Sequence, residues 1–208
     1  MSAFKYNLGV VGLGYVGLPL AVDAVSSGLS VVGYDISEEK NTLINNGESP
    51  IEDISNDDLK SALDNGFIAS SDETILADVE YIVISVPTPL TDYQPDLTYV
   101  KSAASSVGRN LRDGQVVILE STTYPGTTEE VLIPEIAKHS DKKPGEEFYV
   151  GYSPERIDPG NKTWKFKNTP KIISGINDAS LDKIESFYKS IIDEVVPVSS
   201  PKEAEMVK

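Results

Sequence analysis

The chain has 208 residues, a formal net charge of −15, 39% apolar and 25% charged residues, no cysteine and a single histidine, His139. The size and balance suit one large α/β domain with its own core, and the negative charge works against general attraction to nucleic acid or to an anionic membrane surface. Without a thiol there is no disulfide framework and no thiolate metal site, and His139, in the polar stretch Lys138–Lys143, reads as a solvated loop residue, so no metal is expected.

The first apolar run, Leu8–Leu13, continues into Leu18–Val25. Together they have the length of a targeting segment, but Asp23 interrupts the run, Lys5 is the only side-chain cation ahead of it, and its glycines weaken a spanning helix. A cytoplasmic chain is the expectation. The same stretch contains Gly12-Leu13-Gly14-Tyr15-Val16-Gly17. GxGxxG alone is a weak pattern, but between a buried strand and a helix it has the setting of a dinucleotide fingerprint. Gly12 would make the tight turn, Gly14 would admit a pyrophosphate to the backbone, and Gly17 would pack the helix close to the strand. Tyr15 and Val16 lie in the same turn, and Pro19 falls in the first helical turn, where a missing N–H costs nothing. The next strand, Ser30–Tyr34, ends at Asp35, about twenty residues past the fingerprint, where a carboxylate can accept from ribose hydroxyls and repel a 2′-phosphate. NAD is therefore expected over NADP, with Lys40 the residue that complicates the preference. The plain structural alternative is a glycine-rich turn followed by Asp35 and Ser37 capping the next helix.

Further along, Ser55-Asn56-Asp57-Asp58 fits a capping box, and Phe67–Ser70 reads as a weak, edge-like strand. Tyr81–Val86 is a strand that stops at Pro87-Thr88-Pro89. Leu97, Val100, Ala104, Val107 and Leu111 share one helical face, with Asp96 placed to cap it. Gln115–Leu119 is a strand running into Glu120-Ser121-Thr122-Thr123-Tyr124-Pro125-Gly126, and Thr127-Thr128-Glu129-Glu130 fits a second capping box. Phe148–Tyr152 is a strand followed by Ser153-Pro154-Glu155-Arg156-Ile157-Asp158-Pro159-Gly160. Lys171–Ser174 and Glu194–Val198 flank a helix after Asp178 that aligns Leu181, Ile184, Tyr188 and Ile191. Pro201 opens another helix.

Strands alternating with helices, several of them apolar throughout, define an α/β fold with a doubly wound, mainly parallel Rossmann-type sheet. The cofactor domain is expected over 1–200, and 201–208 as the start of a central helix that leads into a C-terminal region outside this chain. Ligands of such sheets bind beyond the carboxyl ends of the strands, where the three polar turns lie. Each turn alone has a structural explanation; together they read as one crevice, with Glu155 a possible base beside the fixed cation Arg156.

At these residues the chain resembles the UDP-glucose/GDP-mannose dehydrogenase family. The matching segments are Gly12–Pro19, Val86–Pro89, Ser121-Thr122, Ser153-Pro154-Glu155 and the helix entry Glu205–Lys208. The resemblance implies NAD contacts at Tyr15, Val16, Asp35, Lys40, Thr88 and Thr122, and UDP-sugar contacts at Glu155, Arg156, Ile157 and Lys208. It implies that Glu155 is a general base and that Lys208 lies beside the sugar oxygen being oxidised. Members take a sugar CH₂OH to a carboxylate by two hydride transfers to NAD through a cysteine thioester. That cysteine belongs to the second half of the family's chain and is missing here, so this chain is expected to bind NAD without oxidising a sugar. Arg156-Ile157-Asp158-Pro159-Gly160 after Glu155 resembles the branch acting on UDP-N-acetylhexosamines. Full-length relatives are expected to be homodimers through the central helix, and the implied pathway is surface-polysaccharide precursor synthesis. Two alternatives stand beside this one: a hydroxyacid-type dehydrogenase domain, and a non-catalytic NAD-binding or sensing module.

Overall fold

The computed structural model describes residues 4–91, 94–155 and 167–207. The first half is laid down as β1 (Tyr6–Val11), α1 (Gly17–Ser26), β2 (Val31–Tyr34), α2 (Glu38–Asn45), α3 (Asn56–Asp64), β3 (Ile68–Ser70) and, after a 3₁₀ turn over Glu73–Asp78, β4 (Val79–Ile84). The short strands β5 (Leu90–Thr91) and β6 (Gln94–Pro95) pair as an antiparallel ribbon. Then follow α4 (Thr98–Asn110), β7 (Val116–Leu119), a π-helical turn (Thr128–Leu132) running into α5 (Ile133–Ala137), β8 (Tyr149–Tyr152), β9 (Lys171–Gly175), α6 (Asp178–Lys189), β10 (Val195–Pro197) and α7 (Pro201–Met206).

Among the described residues, eight strands form one sheet in the order β10-β9-β8-β7-β4-β1-β2-β3. The chain leaves β1 toward β3 and then crosses back to β4 on the other side, so the topological switch point lies between β1 and β4. β7 shows why its run is apolar throughout. Val116 and Ile118 face a core with α1, α3 and α6, while Val117 and Leu119 face a second core with α4, α5 and α7. A strand covered on both faces has no position for a polar side chain. The weak run Phe67–Ser70 contains β3, which lies at the sheet edge, paired with β2.

One strand departs from the parallel pattern. β9 runs antiparallel to β8, with Gly151 opposite Gly175 and Tyr152 opposite Ser174, and β10 follows it in parallel after α6. The reversal puts the beginning of β9, not its end, at the carboxyl edge of the parallel strands. Continuing that register brings Lys171 opposite Glu155.

The helix starts follow the sequence in part. Ser55 caps α3 by accepting from the Asp58 N–H (3.1 Å), and Ser200 caps α7 from Glu203 (3.3 Å). Asp96 accepts from the Thr98 N–H at 2.9 Å at the head of α4, and α6 is capped by Asn177, which accepts from Ser180. The capping box at Thr127 does not form: the Thr127 hydroxyl donates to the Tyr124 carbonyl instead. The free N–H groups there are taken by a carboxylate from elsewhere. Buried Glu205 of α7 accepts from the Gly126 N–H (2.5 Å) and from the Thr128 N–H (2.8 Å) and hydroxyl (2.7 Å). A buried anion answering several donors at a helix start outcompetes a local hydroxyl.

Candidate cofactor and substrate crevice

Gly12 follows β1 with φ +93°, a left-handed turn that favours glycine, and a Cβ there would lie 2.8 Å from the Ser85 carbonyl oxygen at the end of β4. A Cβ on Gly17 would overlap the Gly12 carbonyl oxygen, so the first turn of α1 can lie against β1 only because Gly17 has no side chain. Gly14 differs: nothing lies within 4 Å of where its Cβ would be. Tyr15 is exposed and Val16, the residue before α1, makes no side-chain cap. The N-terminal N–H groups of α1 are thus uncapped by side chains beside an open backbone, an arrangement that accepts a phosphate.

Asp35 lies at the end of β2 and is nearly buried. Its Oδ2 accepts from the Leu13 N–H (2.9 Å) and from Lys40 Nζ (2.6 Å), and its Oδ1 accepts from the Ser37 N–H (3.0 Å). Both readings of Asp35 hold together: it orders the fingerprint and the start of α2, and it lines a cavity of about 290 Å³ with Lys40, Val86, Pro87, Tyr99 and Ser106. A carboxylate offers roughly four acceptor sites. Three are occupied, so a ribose hydroxyl takes the remaining one or displaces Lys40. Lys40 is paired with Asp35, whose carboxylate would repel a 2′-phosphate. Open backbone, uncapped helix end, cavity and carboxylate together fit a dinucleotide.

The turns after β4 and β7 are tied to one another and to the end of β8. The Thr88 hydroxyl donates to the Thr122 carbonyl (2.6 Å), the Ser121 hydroxyl to the Val86 carbonyl (2.7 Å), and the Tyr152 hydroxyl to the Ser121 carbonyl (3.2 Å). Ser85, in turn, joins β4 to the fingerprint through its N–H to the Val11 carbonyl (2.9 Å) and its hydroxyl to the Gly12 carbonyl (3.2 Å). These bonds make the two turns and the end of β8 one wall, continuous with the fingerprint.

Glu155 is buried at the far end of that wall. Its Oε2 lies 2.8 Å from Lys171 Nζ, which also lies 2.9 Å from Oε1 of Glu120, and the Tyr188 hydroxyl donates to the same Glu120 oxygen. All three charged groups are 6% exposed or less. Burial pushes the Glu120 carboxyl above the usual carboxylate range, with Lys171 opposing and Glu155 adding to the shift. Lys171 stays an ammonium: burial alone would favour the neutral amine, but the two carboxylates outweigh it. Tyr188 is held well above the ordinary phenol range by burial and by Glu120. Among the described residues, Glu120 Oε2 has no hydrogen-bond partner.

Of the residues marked in the sequence, Gly12, Asp35 and Lys40 line one cavity, Gly14, Tyr15, Val16 and Gly17 carry the turn from Gly12 into α1, and the Thr88 hydroxyl is bonded to the Thr122 carbonyl. Glu155 lies in the cluster just described. Arg156, Ile157 and Lys208 lie outside the described residues. Lys171 and the pairing role of Glu120 were not picked out from sequence. The available signal was a lysine opening a strand otherwise apolar, and a carboxylate heading the Ser121-Thr122 turn. His139 is exposed in the turn after α5.

The fold and the crevice define a dinucleotide-binding domain of the oxidoreductase kind, with its ligand wall built from strand-end turns. Residues 6–192 match the UDP-glucose/GDP-mannose dehydrogenase family, NAD binding domain. The chain belongs to this family, and NAD is its cofactor. It is 38% identical over 189 residues to the UDP-N-acetyl-D-glucosamine 6-dehydrogenase of Salmonella typhi, covering 90% of this chain and 44% of that protein. The structure of the UDP-D-ManNAc dehydrogenase from Pyrococcus horikoshii superposes with a TM-score of 0.91 at 34% identity, over 97% of this chain and 49% of that one. A ternary complex of GDP-mannose dehydrogenase from Pseudomonas aeruginosa superposes with a TM-score of 0.90 at 29% identity, over 97% and 48% of the two chains. The chain thus spans about half the length of these relatives. Among the described residues no helix is long and apolar enough to cross a membrane.

Proposed function

We propose that this chain is the cofactor half of a nucleotide-sugar 6-dehydrogenase acting on the C6 alcohol of a UDP-N-acetylhexosamine, with NAD supplying the hydride acceptor for two successive oxidations to the uronate. The observation that carries the proposal is the single wall joining the fingerprint, through Ser85, Thr88 and Ser121, to the buried carboxylate of Glu155. The comparisons support this reading over a hydroxyacid dehydrogenase or a sensing module, since the relatives named above are nucleotide-sugar dehydrogenases.

Gly12, Gly14, Tyr15, Val16 and Gly17 hold the pyrophosphate side of the cofactor, Asp35 and Lys40 the adenosine ribose, and Thr88 and Thr122 the far end. Glu155 acts on the acyl intermediate, a thioester on a cysteine of the second half. It accepts a proton from water as the water oxygen bonds to the acyl carbon. The C–S bond then breaks, the thiolate leaves, and the proton passes from Glu155 to the thiolate or to solvent. Arg156, Ile157 and Lys208 contact the sugar nucleotide, Lys208 beside the reacting oxygen, where an ammonium stabilises developing negative charge. The region 1–200 is the cofactor domain and 201–208 the entry to a central helix. The complete enzyme is a cytoplasmic homodimer.

The direct test follows NADH absorbance. The complete polypeptide should reduce two NAD⁺ per UDP-N-acetylglucosamine or UDP-N-acetylmannosamine consumed. This chain alone should bind NAD⁺ and give no sustained signal with either sugar, because it has no thiol to hold the aldehyde. Sustained NADH production by the chain alone, or one NAD⁺ per sugar from the complete enzyme, would overturn the proposal.

A further inference from the structure

A lysine that is 5% exposed at the start of a buried strand needs a reason. Taking an ammonium out of water costs several kcal/mol unless charges of opposite sign compensate it. Two do so here, and they come from different strand ends: Glu120 from β7 and Glu155 from β8. Lys171 reaches both because β9 runs antiparallel to β8 and begins at the edge where the other strands end. Tyr188, from α6, braces the far side: its hydroxyl donates to Glu120, and its ring centroid lies 5.4 Å from Lys171 Nζ. Among the described residues, Tyr152 of β8 and Glu205 of α7 are further titratable groups near the cluster. Tyr152 feels the field of Glu120 and Lys171 and donates to the Ser121 carbonyl, and Glu205 is spent on the N–H groups of Gly126 and Thr128.

We propose that Lys171 is a positioning residue for Glu155: it holds the Glu155 carboxylate in one orientation and in its ionised form, ready to take a proton from water, while Glu120 and Tyr188 hold Lys171 from behind. This rests on the assignment of Glu155 as the general base. Lys171 itself forms and breaks no covalent bond. Its charge makes a deprotonated carboxylate tolerable in a dry pocket beside a second carboxyl group. Without that charge 2.8 Å away, the base is protonated over a wider range of pH. Glu120 does the reverse: it is a second carboxyl group on the same ammonium, so it adds to the cost of ionising Glu155.

The experiment uses the complete dehydrogenase with NAD⁺ and whichever of UDP-N-acetylglucosamine and UDP-N-acetylmannosamine the wild type turns over. Thioester decay is followed by rapid quench and intact mass spectrometry from pH 5 to 9. E155Q is the control for the underlying assignment and should accumulate the thioester at every pH. K171M, and K171Q as the better-tolerated neutral variant, should move the acid limb of hydrolysis upward by about one unit or more. On the acid side of the limb that is roughly a tenfold slower decay at a given pH, with KM for NAD⁺ unchanged. K171R, which keeps the cation, should restore the wild-type limb. E120Q should leave the limb at or below its wild-type position. An unshifted limb in K171Q, a K171R profile matching K171Q, or an upward shift in E120Q would overturn the inference while leaving Glu155 as the base. No thioester in E155Q would instead remove the assignment on which it rests.

Discussion

The two ends of the crevice solve opposite problems. Around β1 and β2 the site is made by leaving things out: no side chain at Gly12, Gly14 and Gly17, and no side-chain cap at the head of α1. Its one buried carboxylate, Asp35, is bound by two backbone N–H groups and by Lys40, which is still partly exposed. Around β7, β8 and β9 the site is made by burying charge: Glu120, Glu155 and Lys171 are all buried and answer one another. A cofactor that arrives with its own phosphates needs an open, positively polarised backbone. A base that must remain ionised in a dry pocket needs a built-in counter-charge. The first end therefore tolerates loss of one partner, and the second does not.

That contrast can be broken at its strongest point first. K171M should destabilise this chain by about 3–5 kcal/mol, because it removes a buried cation that two buried carboxyl groups share. Urea unfolding monitored by circular dichroism measures it, and a cost below about 1 kcal/mol would mean that the cluster is solvated in solution. A smaller effect is expected at the other end. D35A removes an anionic acceptor and should weaken NAD⁺ binding by about 1.5–3 kcal/mol, while freeing Lys40 and so narrowing the preference over NADP⁺. Calorimetry with both cofactors decides it; an unchanged ratio would confine Asp35 to ordering its own loops. The smallest effect, and the most specific, separates two glycines of the same motif. G14A adds a methyl where nothing stands within 4 Å. It should leave stability within about 0.5 kcal/mol and raise the NAD⁺ Kd at least roughly tenfold, about 1.4 kcal/mol. G17A, whose methyl would overlap the Gly12 carbonyl, should lower the melting temperature instead. If both variants lose stability alike, Gly14 is packed and is not an opening for the cofactor.

The fingerprint half was legible because its chemistry is local. Strand, glycines, helix and Asp35 fall within one βαβ unit, and the spacing alone brings them together. Capping by Ser55 was legible for the same reason, since partner and cap are three residues apart. The helix start near Thr127 was misread because its partner, Glu205, lies far along the chain, and local pattern cannot weigh a distant buried carboxylate against a neighbouring hydroxyl.

By itself, then, the amino-acid sequence determined the class of fold, the cofactor and the position of Glu155 on a strand-end turn. Each of these follows from hydrophobic period or from residues close together in the chain. Only the tertiary structure decided that β9 runs against β8. Nothing in the apolar run Lys171–Ser174 encodes a direction, because a strand buried on both faces reads the same either way. That direction carries Lys171 to the carboxyl edge and makes it the partner of Glu120 and Glu155. A buried charge is meaningful only through what surrounds it, and its surroundings here come from three strands and a helix spread across about a third of the chain.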